Sequence, residues 1–232
     1  MVSVMVAVEP RERLAAFVAD VCEGFDRRSQ RVNGELYVRG LIEQGARKSL
    51  QPTLFRLGEP AARYESMQQF VADSPWSWED LLRRVAERVA PRLEVVCWVV
   101  DDTGFPKDGR GSPGVKRQYS GTLGKIGNCQ IGTSLHAVGE RGTLPLGWSL
   151  YLPEDWCEDP RRRRRAKIPD EVCFQTKAQL ASRLIGEAAD WEIPRGPILA
   201  DPAYGDDADF RAGLDDQRLS YVVAVSSRTV YD

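Results

Sequence analysis

The sequence predicts an α+β protein with α/β character: an all-helical region over residues 1–91, then a mixed five-stranded sheet with flanking helices over residues 92–232. Three observations predict it. Apolar residues recur at three- and four-residue spacing through the first ninety positions, which makes one face of a 3.6-residue helix. At Leu93 the period changes to a near-continuous apolar run, Leu93-Glu94-Val95-Val96-Cys97-Trp98-Val99-Val100, as in a strand buried on both faces. Beyond it, strand-like and helix-like segments follow in an order that needs both antiparallel and parallel pairing.

The first helix is expected over Glu9–Arg28, with Leu14, Phe17, Val18, Val21, Cys22 and Phe25 on its inner face. A second covers Gly34–Gly45, and Arg47-Lys48-Ser49 with Gln51-Pro52 breaks it. A third runs from Pro60 to Ala72. After the turn Ser74-Pro75-Trp76-Ser77, Ser77 and Asp80 have the spacing of a capping box for a fourth helix ending near Ala90-Pro91. Trp76 and Trp78 are expected to pack this region.

The apolar run from Leu93 ends on Asp101-Asp102, and a Gly/Pro/Lys-rich loop follows from Gly104 to Gly127. Strands are expected at Cys129–Val138 and Leu146–Leu152, with a turn at Gly139–Gly142 between them. Pro153–Pro169 reads as charged and irregular, and Phe174–Trp191 as an amphipathic helix. Pro197–Ala200 is a short strand ending on Asp201. A helix over Asp206–Gln217 and a strand over Ser220–Ser226 complete the order β-β-β-α-β-α-β, the order of a ribonuclease-H-like fold.

Composition narrows the chemistry. The chain has 42% hydrophobic and 28% charged residues, ordinary for a globular protein. No stretch approaches the 18 consecutive apolar residues of a membrane span, and Met1–Val8 lacks a basic leader, so a cytoplasmic protein is expected. The five cysteines form no C-x-x-C pair and read mostly as reduced core thiols. With a single histidine, His136, a zinc site or a histidine-based triad has little to build on. Any metal must be held by carboxylates, which favours Mg²⁺ or Mn²⁺. Net charge is −2, yet Thr103–Lys167 holds 12 lysines and arginines against 6 aspartates and glutamates. A basic middle between acidic flanks permits a phosphate-facing surface.

Asp101/Asp102 and Asp201 each end a short apolar strand. In an open sheet, ligands collect at strand ends, and carboxylates from neighbouring strands can meet there. Close carboxylates repel unless a cation lies between them, and a pair of divalent ions in such a place serves phosphoryl transfer. The same positions also suit turn residues and helix caps, so spacing alone leaves both roles open.

The run Asp101-Asp102-Thr103-Gly104-Phe105-Pro106-Lys107 resembles the first acidic box of DDE-type transposases of bacterial insertion sequences. The likeness continues through Tyr119-Ser120-Gly121-Thr122-Leu123-Gly124-Lys125-Ile126-Gly127-Asn128-Cys129-Gln130 and Ser134-Leu135-His136. It resumes at Ala200-Asp201-Pro202-Ala203-Tyr204-Gly205-Asp206, which resembles the second acidic box. Upstream, Tyr37-Val38-Arg39-Gly40-Leu41, Arg47-Lys48-Ser49 and Ser74-Pro75-Trp76 are similar to the helical N-terminal region of the same branch.

The resemblance implies a ribonuclease-H-like catalytic domain that cuts and rejoins DNA at transposon ends with Mg²⁺ or Mn²⁺, preceded by a DNA-binding or accessory helical region. The implied metal ligands are Asp102, with Asp101 as its alternate, and Asp201. Tyr204 and Asp206 either support these ligands or cap the next helix. The family's third acid is a glutamate on a helix after the last core strand. This sequence reads to Tyr231-Asp232, just past that strand, so the third ligand is expected to be missing. The alternative is then an inactive, truncated transposase acting as a DNA-binding or dimerising inhibitor. The implied partners are the terminal inverted repeats and target DNA, with the protein working as a homodimer associated with the bacterial nucleoid.

For DNA contact, Lys116, Arg117 and Tyr119 are expected to form a phosphate-holding loop with Tyr119 stacked on a base. Lys125 is a weaker candidate. The run Arg161, Arg162, Arg163, Arg164 and Arg165 suits sequence-independent backbone contact.

Overall fold

The computed structural model of the chain describes residues 9–43 and 45–227; the readings of Met1–Val8 and of Tyr231-Asp232 lie outside them. The described residues fall into two compact units, divided between Val85 and Ala86.

In the first unit, α1 (Pro10–Val21) starts on a proline and runs into a 3-10 turn at Cys22–Gly24. It is followed by α2 (Arg28–Ile42), α3 (Leu50–Arg56) and α4 (Arg63–Ala72), and α5 (Trp78–Val89) crosses out of the unit. The apolar spacing read from the sequence becomes a core of Val18, Cys22, Phe25, Leu36, Leu54, Met67 and Phe70. Phe25, Phe70 and Trp76 meet there with centroids 5.7–5.9 Å apart. Ser77 caps α5 as expected, its hydroxyl accepting from the Asp80 amide at 3.0 Å.

Several expectations change in this unit: α1 stops at Val21 rather than Arg28, and α2 starts at Arg28 rather than Gly34. Gln51-Pro52 does not end a helix but lies in the first turn of α3, where proline's missing N–H costs no hydrogen bond. Five α-helices therefore stand among the described residues of this half, where four were expected. Trp78 does not pack inward and is 48% exposed.

The second unit is a six-stranded sheet with helices. Its strands are β1 (Val95–Pro106), β2 (Lys116–Ser120), β3 (Lys125–Gly139), β4 (Gly142–Tyr151), β5 (Ile198–Ala200) and β6 (Tyr221–Val223). β1 pairs antiparallel with β3 over its whole length, from Val95↔Gly139 to Pro106↔Cys129. The other edge of β3 is shared: β2 lies along Lys125–Cys129 and β4 along Ile131–Gly139. On the far side, β5 pairs parallel with β1 (Trp98↔Ile198, Val99↔Leu199) and β6 parallel with β5. The antiparallel meander and the parallel crossovers both agree with the order read from the sequence.

The sheet has six strands rather than five because β2 lies inside the segment expected to be a loop. Lys116-Arg117-Gln118-Tyr119 shows no apolar alternation, since most of this edge strand is solvent-exposed. Pro153–Pro169 is also more regular than expected, containing α6 (Glu154–Cys157) and α7 (Pro160–Ala166). α7 has no buried residue to announce it; Asp159 caps it, accepting from the amides of Arg161 and Arg162 at 2.9 and 3.0 Å.

α8 (Lys177–Ala189) lies against β3 and β4, burying Leu180, Ala181, Leu184, Ile185 and Ala188. Gly147 permits that approach, since a Cβ there would stand 2.8 Å from Leu184 Cδ2. After β5 come α9 (Pro202–Gly205) and α10 (Ala208–Asp216). No helix among the described residues is long and apolar enough to cross a membrane.

Candidate active site

Strand alternation decides which aspartate of the Asp101-Asp102 pair meets the rest of the site. Trp98, Val100, Asp102 and Gly104 share one face of β1, and Trp98 and Val100 are buried on it. Asp101 projects from the opposite face, is exposed, and its Oδ1 accepts from the Asp102 amide at 2.7 Å.

Three side chains from three other elements converge on Asp102. Lys177, the first residue of α8, places Nζ 2.5 Å from Oδ2. The hydroxyls of Tyr204 (α9) and Thr133 (β3) donate to Oδ1 at 2.5 and 3.2 Å. Thr133 is fully buried and directly opposite Asp102 in the β1–β3 register, and Tyr204 is 1% exposed. Each oxygen of the carboxylate thus has its own partners, a cation on one and two hydroxyls on the other.

Asp201 closes β5 and caps α9, its Oδ1 accepting from the Ala203 amide at 2.9 Å, with Pro202 at the first helical position. β5 pairs parallel with the middle of β1 (Trp98↔Ile198, Val99↔Leu199), so Asp201 leaves the end of β5 beside the stretch of β1 that carries Asp101-Asp102. The apolar run led us to expect β1 to end on these acids; instead it continues to Pro106, held by its pairing with β3. Tyr204 reports on both acids. Burial first, then the charge of Asp102 and more weakly that of Asp201, push its phenol well above the ordinary tyrosine range. α9 is held in place by a close approach at Gly205, where a Cβ would lie 1.9 Å from the Ala224 carbonyl oxygen. Asp206 accepts from the Ser226 amide at 2.7 Å, fastening the same turn to the exit of β6.

Among the described residues, no group of three or more His, Cys, Asp or Glu side chains converges as a metal cage. His136 sits on β3 edge-on to Trp148, with centroids 5.7 Å apart. Of the cysteines, Cys22 and Cys129 are buried, Cys97 and Cys157 half-buried and Cys173 exposed, all free thiols. An open cleft of about 1160 Å³ runs beside α8, past Phe174, Thr176 and Arg183 to Asp207; neither Asp102 nor Asp201 lines it.

The basic residues separate into two kinds. Lys116 and Arg162 both bind Asp155, at 2.9 and 3.0 Å, and Arg162 also lies over the buried Trp156 ring at 3.7 Å. Arg163 donates to the carbonyls of Cys157, Pro169, Asp170 and Val172, bracing the connection after α7. By contrast, Arg161, Arg164 and Arg165 are exposed and make no side-chain hydrogen bond or ion pair among the described residues. Arg117 and Tyr119 project from the same face of β2, opposite to Lys116, and Tyr119 is 63% exposed. Lys125 is exposed at the start of β3.

Sequence reasoning missed two residues of the site. Lys177 is 75 positions from Asp102, and its one signal is a lysine at the first position of a helix that the Thr176–Gln179 capping box marks. Thr133 could have been noticed as a hydroxyl within the apolar run of β3.

The profile of the DDE superfamily endonuclease family matches residues 20–231. The chain is also similar to the probable transposase for insertion sequence element IS701 of Microchaete diplosiphon, with 29% identity over 231 residues, 96% of this chain. It spans 57% of that protein's length.

Proposed function

Because the chain belongs to the DDE superfamily endonuclease family, we propose that it carries the first two metal-binding carboxylates, Asp102 and Asp201, of a transposase that cuts and joins DNA at transposon ends. The observation that carries this reading is the convergence at Asp102: one carboxylate gathers a cation and two hydroxyls beside the strand end that bears Asp201.

The donor set fits a hard divalent ion. Both candidate ligands are carboxylates, an ammonium already sits on Asp102 Oδ2, and Mg²⁺ takes one or two carboxylates with water and phosphate oxygens completing its shell. Asp102 and Asp201 would hold Mg²⁺ or Mn²⁺, and two such ions would supply charge stabilisation for the attacking and leaving oxygens of phosphoryl transfer. Tyr204 and Thr133 fix the orientation of the Asp102 carboxylate. The cap bond to Ala203 does the same for Asp201, leaving its second oxygen for a ligand. Asp101, facing the other way, is outside this set. Arg161, Arg164 and Arg165, with Arg117 and Tyr119, are the groups available to DNA phosphates and bases.

Metal binding tests the two carboxylates directly. Mn²⁺ should raise the melting temperature of the wild-type chain and leave Asp102→Asn and Asp201→Asn unmoved. Equal stabilisation of all three proteins would overturn the assignment.

A second reading, DNA binding without chemistry in the manner of an inhibitor, is favoured by the three exposed arginines of α7. It predicts salt-dependent gel shifts of transposon-end duplexes that persist in EDTA.

A further inference from the structure

Lys177 is poorly placed for its own helix. As the first residue of α8 it meets the positive end of the helix dipole, where a cation is disfavoured and an acid would be preferred. The helix start is secured without it, by Thr176 and Gln179, which bond each other's amides at 2.9 and 3.1 Å. The Lys177 side chain is about two-thirds covered, with 31% of its surface exposed, and its ammonium lies 5.8 Å from the centre of the Tyr151 ring. Its one ion-pair partner among the described residues is Asp102, at 2.5 Å. The pair therefore explains a lysine that local helix energetics would reject.

We infer that Lys177 is the resident counter-cation of Asp102, occupying the position on Oδ2 that a divalent ion takes and leaving it when the ion binds. This rests on the reading of Asp102 as a metal ligand. The division of labour on the carboxylate suits such an exchange. Oδ1 is held by two hydroxyls that can stay in place, whereas Oδ2 is held by the tip of a flexible four-carbon chain. A partly buried carboxylate with a second acid at the adjacent strand end needs a positive partner in the ion-free protein, and Lys177 supplies it. The same contact opposes metal loading, because the ion must displace a bound charge. Lys177 is thus a positioning residue that keeps Asp102 oriented while setting how tightly the site takes its metal.

The test is Mn²⁺ binding to the full 232-residue chain, followed by the electron paramagnetic resonance signal of free Mn²⁺ and by calorimetry. Lys177→Met should bind Mn²⁺ more tightly than wild type, on the order of tenfold, as expected for removing one competing charge from a half-buried site. Without metal the variant should melt lower, and Mn²⁺ should raise its melting point by more than it raises wild type's. Lys177→Arg should stay near wild type, since it keeps the cation. Should Lys177→Met fail to fold by circular dichroism, Lys177→Gln, a neutral hydrogen-bond donor of similar reach, is read in the same way. Unchanged or weaker binding by the neutral variant, with binding abolished in Asp102→Asn, overturns the role of Lys177 and leaves the ligand assignment standing. Wild-type binding retained in Asp102→Asn overturns the ligand assignment itself. No binding by any of the variants overturns both.

Discussion

The Tyr204 hydroxyl donates a 2.5 Å hydrogen bond to Asp102 Oδ1, tying the helix that follows β5 to the acid on β1. The two residues are 102 positions apart, so this bond fixes the geometry of the site across the β1–β5 crossover rather than within one element.

Tyr204→Phe keeps the ring, which packs 5.8 Å from that of Phe210, and removes only the donor. A hydrogen bond to a charged acceptor contributes about 1.5–3 kcal/mol when its loss leaves a buried partner less satisfied. The substitution should lower unfolding stability by roughly that amount in urea titrations. A change smaller than about 0.5 kcal/mol would mean that water replaces the hydroxyl at Asp102 without cost.

Gly205 should tolerate no side chain. The Ala224 carbonyl oxygen lies 1.9 Å from where its Cβ would be, and that atom belongs to backbone that cannot swing aside. Gly205→Ala should cost about 3 kcal/mol or more by overpacking, read as a fall in melting temperature. Gly213→Ala, inside α10 with open space around the added methyl, is the control and should not lower the melting temperature.

The arginines of α7 should separate by role. Replacing Arg161, Arg164 and Arg165 together by alanine should weaken duplex binding and reduce the slope of log affinity against log salt by up to about 0.9 for each phosphate no longer neutralised. Stability should hardly change, since none of the three side chains makes a hydrogen bond or ion pair among the described residues. Arg163→Ala should do the reverse, loosening the connection it braces through four carbonyls while leaving the salt slope near wild type. A triple variant with an unchanged salt slope would remove α7 from the DNA surface.

Much of this arrangement can be read in the sequence, and the remainder could not have been. Val95–Val100 and Ile198–Ala200 identify themselves as strands because both are apolar and end on acids. The α8 crossover from β4 to β5 gives β5 its direction, but its place beside β1 is set by packing that no local pattern records. β2 and α7 are hidden because neither is made by burial: one is an exposed edge strand, the other a helix held by Asp159 and by Arg163. α3 is obscured by Pro52, which marks a break in mid-helix but is neutral in a first turn. Lys177 is illegible for a different reason: its meaning lies entirely in a partner that only the packed sheet brings to it.

Asp155 gives the molecule a small acid-sensitive element. Hydrogen bonds and charge from Lys116 and then Arg162 hold its carboxyl below the usual carboxylate range. A depressed folded-state pKa contributes stability that is fully present above the unfolded value and is lost as pH falls through the folded one. The loss should therefore begin near pH 4 and grow below it. The side chain is 46% exposed, so solvent screening limits the contribution to about 0.2–1 kcal/mol. Urea midpoints of wild type and Asp155→Asn should differ above about pH 5 and draw together as pH falls below about 4; a constant gap would mean that the carboxylate's charge plays no part.

Asp201 has two separable jobs, and the choice of substitution isolates them. As the cap of α9 it accepts from the Ala203 amide, a role asparagine fills nearly as well and alanine does not. Asp201→Ala should therefore lose about 1 kcal/mol of stability together with the response to Mn²⁺. Asp201→Asn should lose the Mn²⁺ response while keeping near-wild-type stability in EDTA. The comparison matters because α9 carries Tyr204, so a frayed cap would also disturb the bond to Asp102 and mimic a missing ligand. If the asparagine variant retains the full Mn²⁺ response and the alanine variant alone loses it, Asp201 acts through the helix it caps and not through its charge.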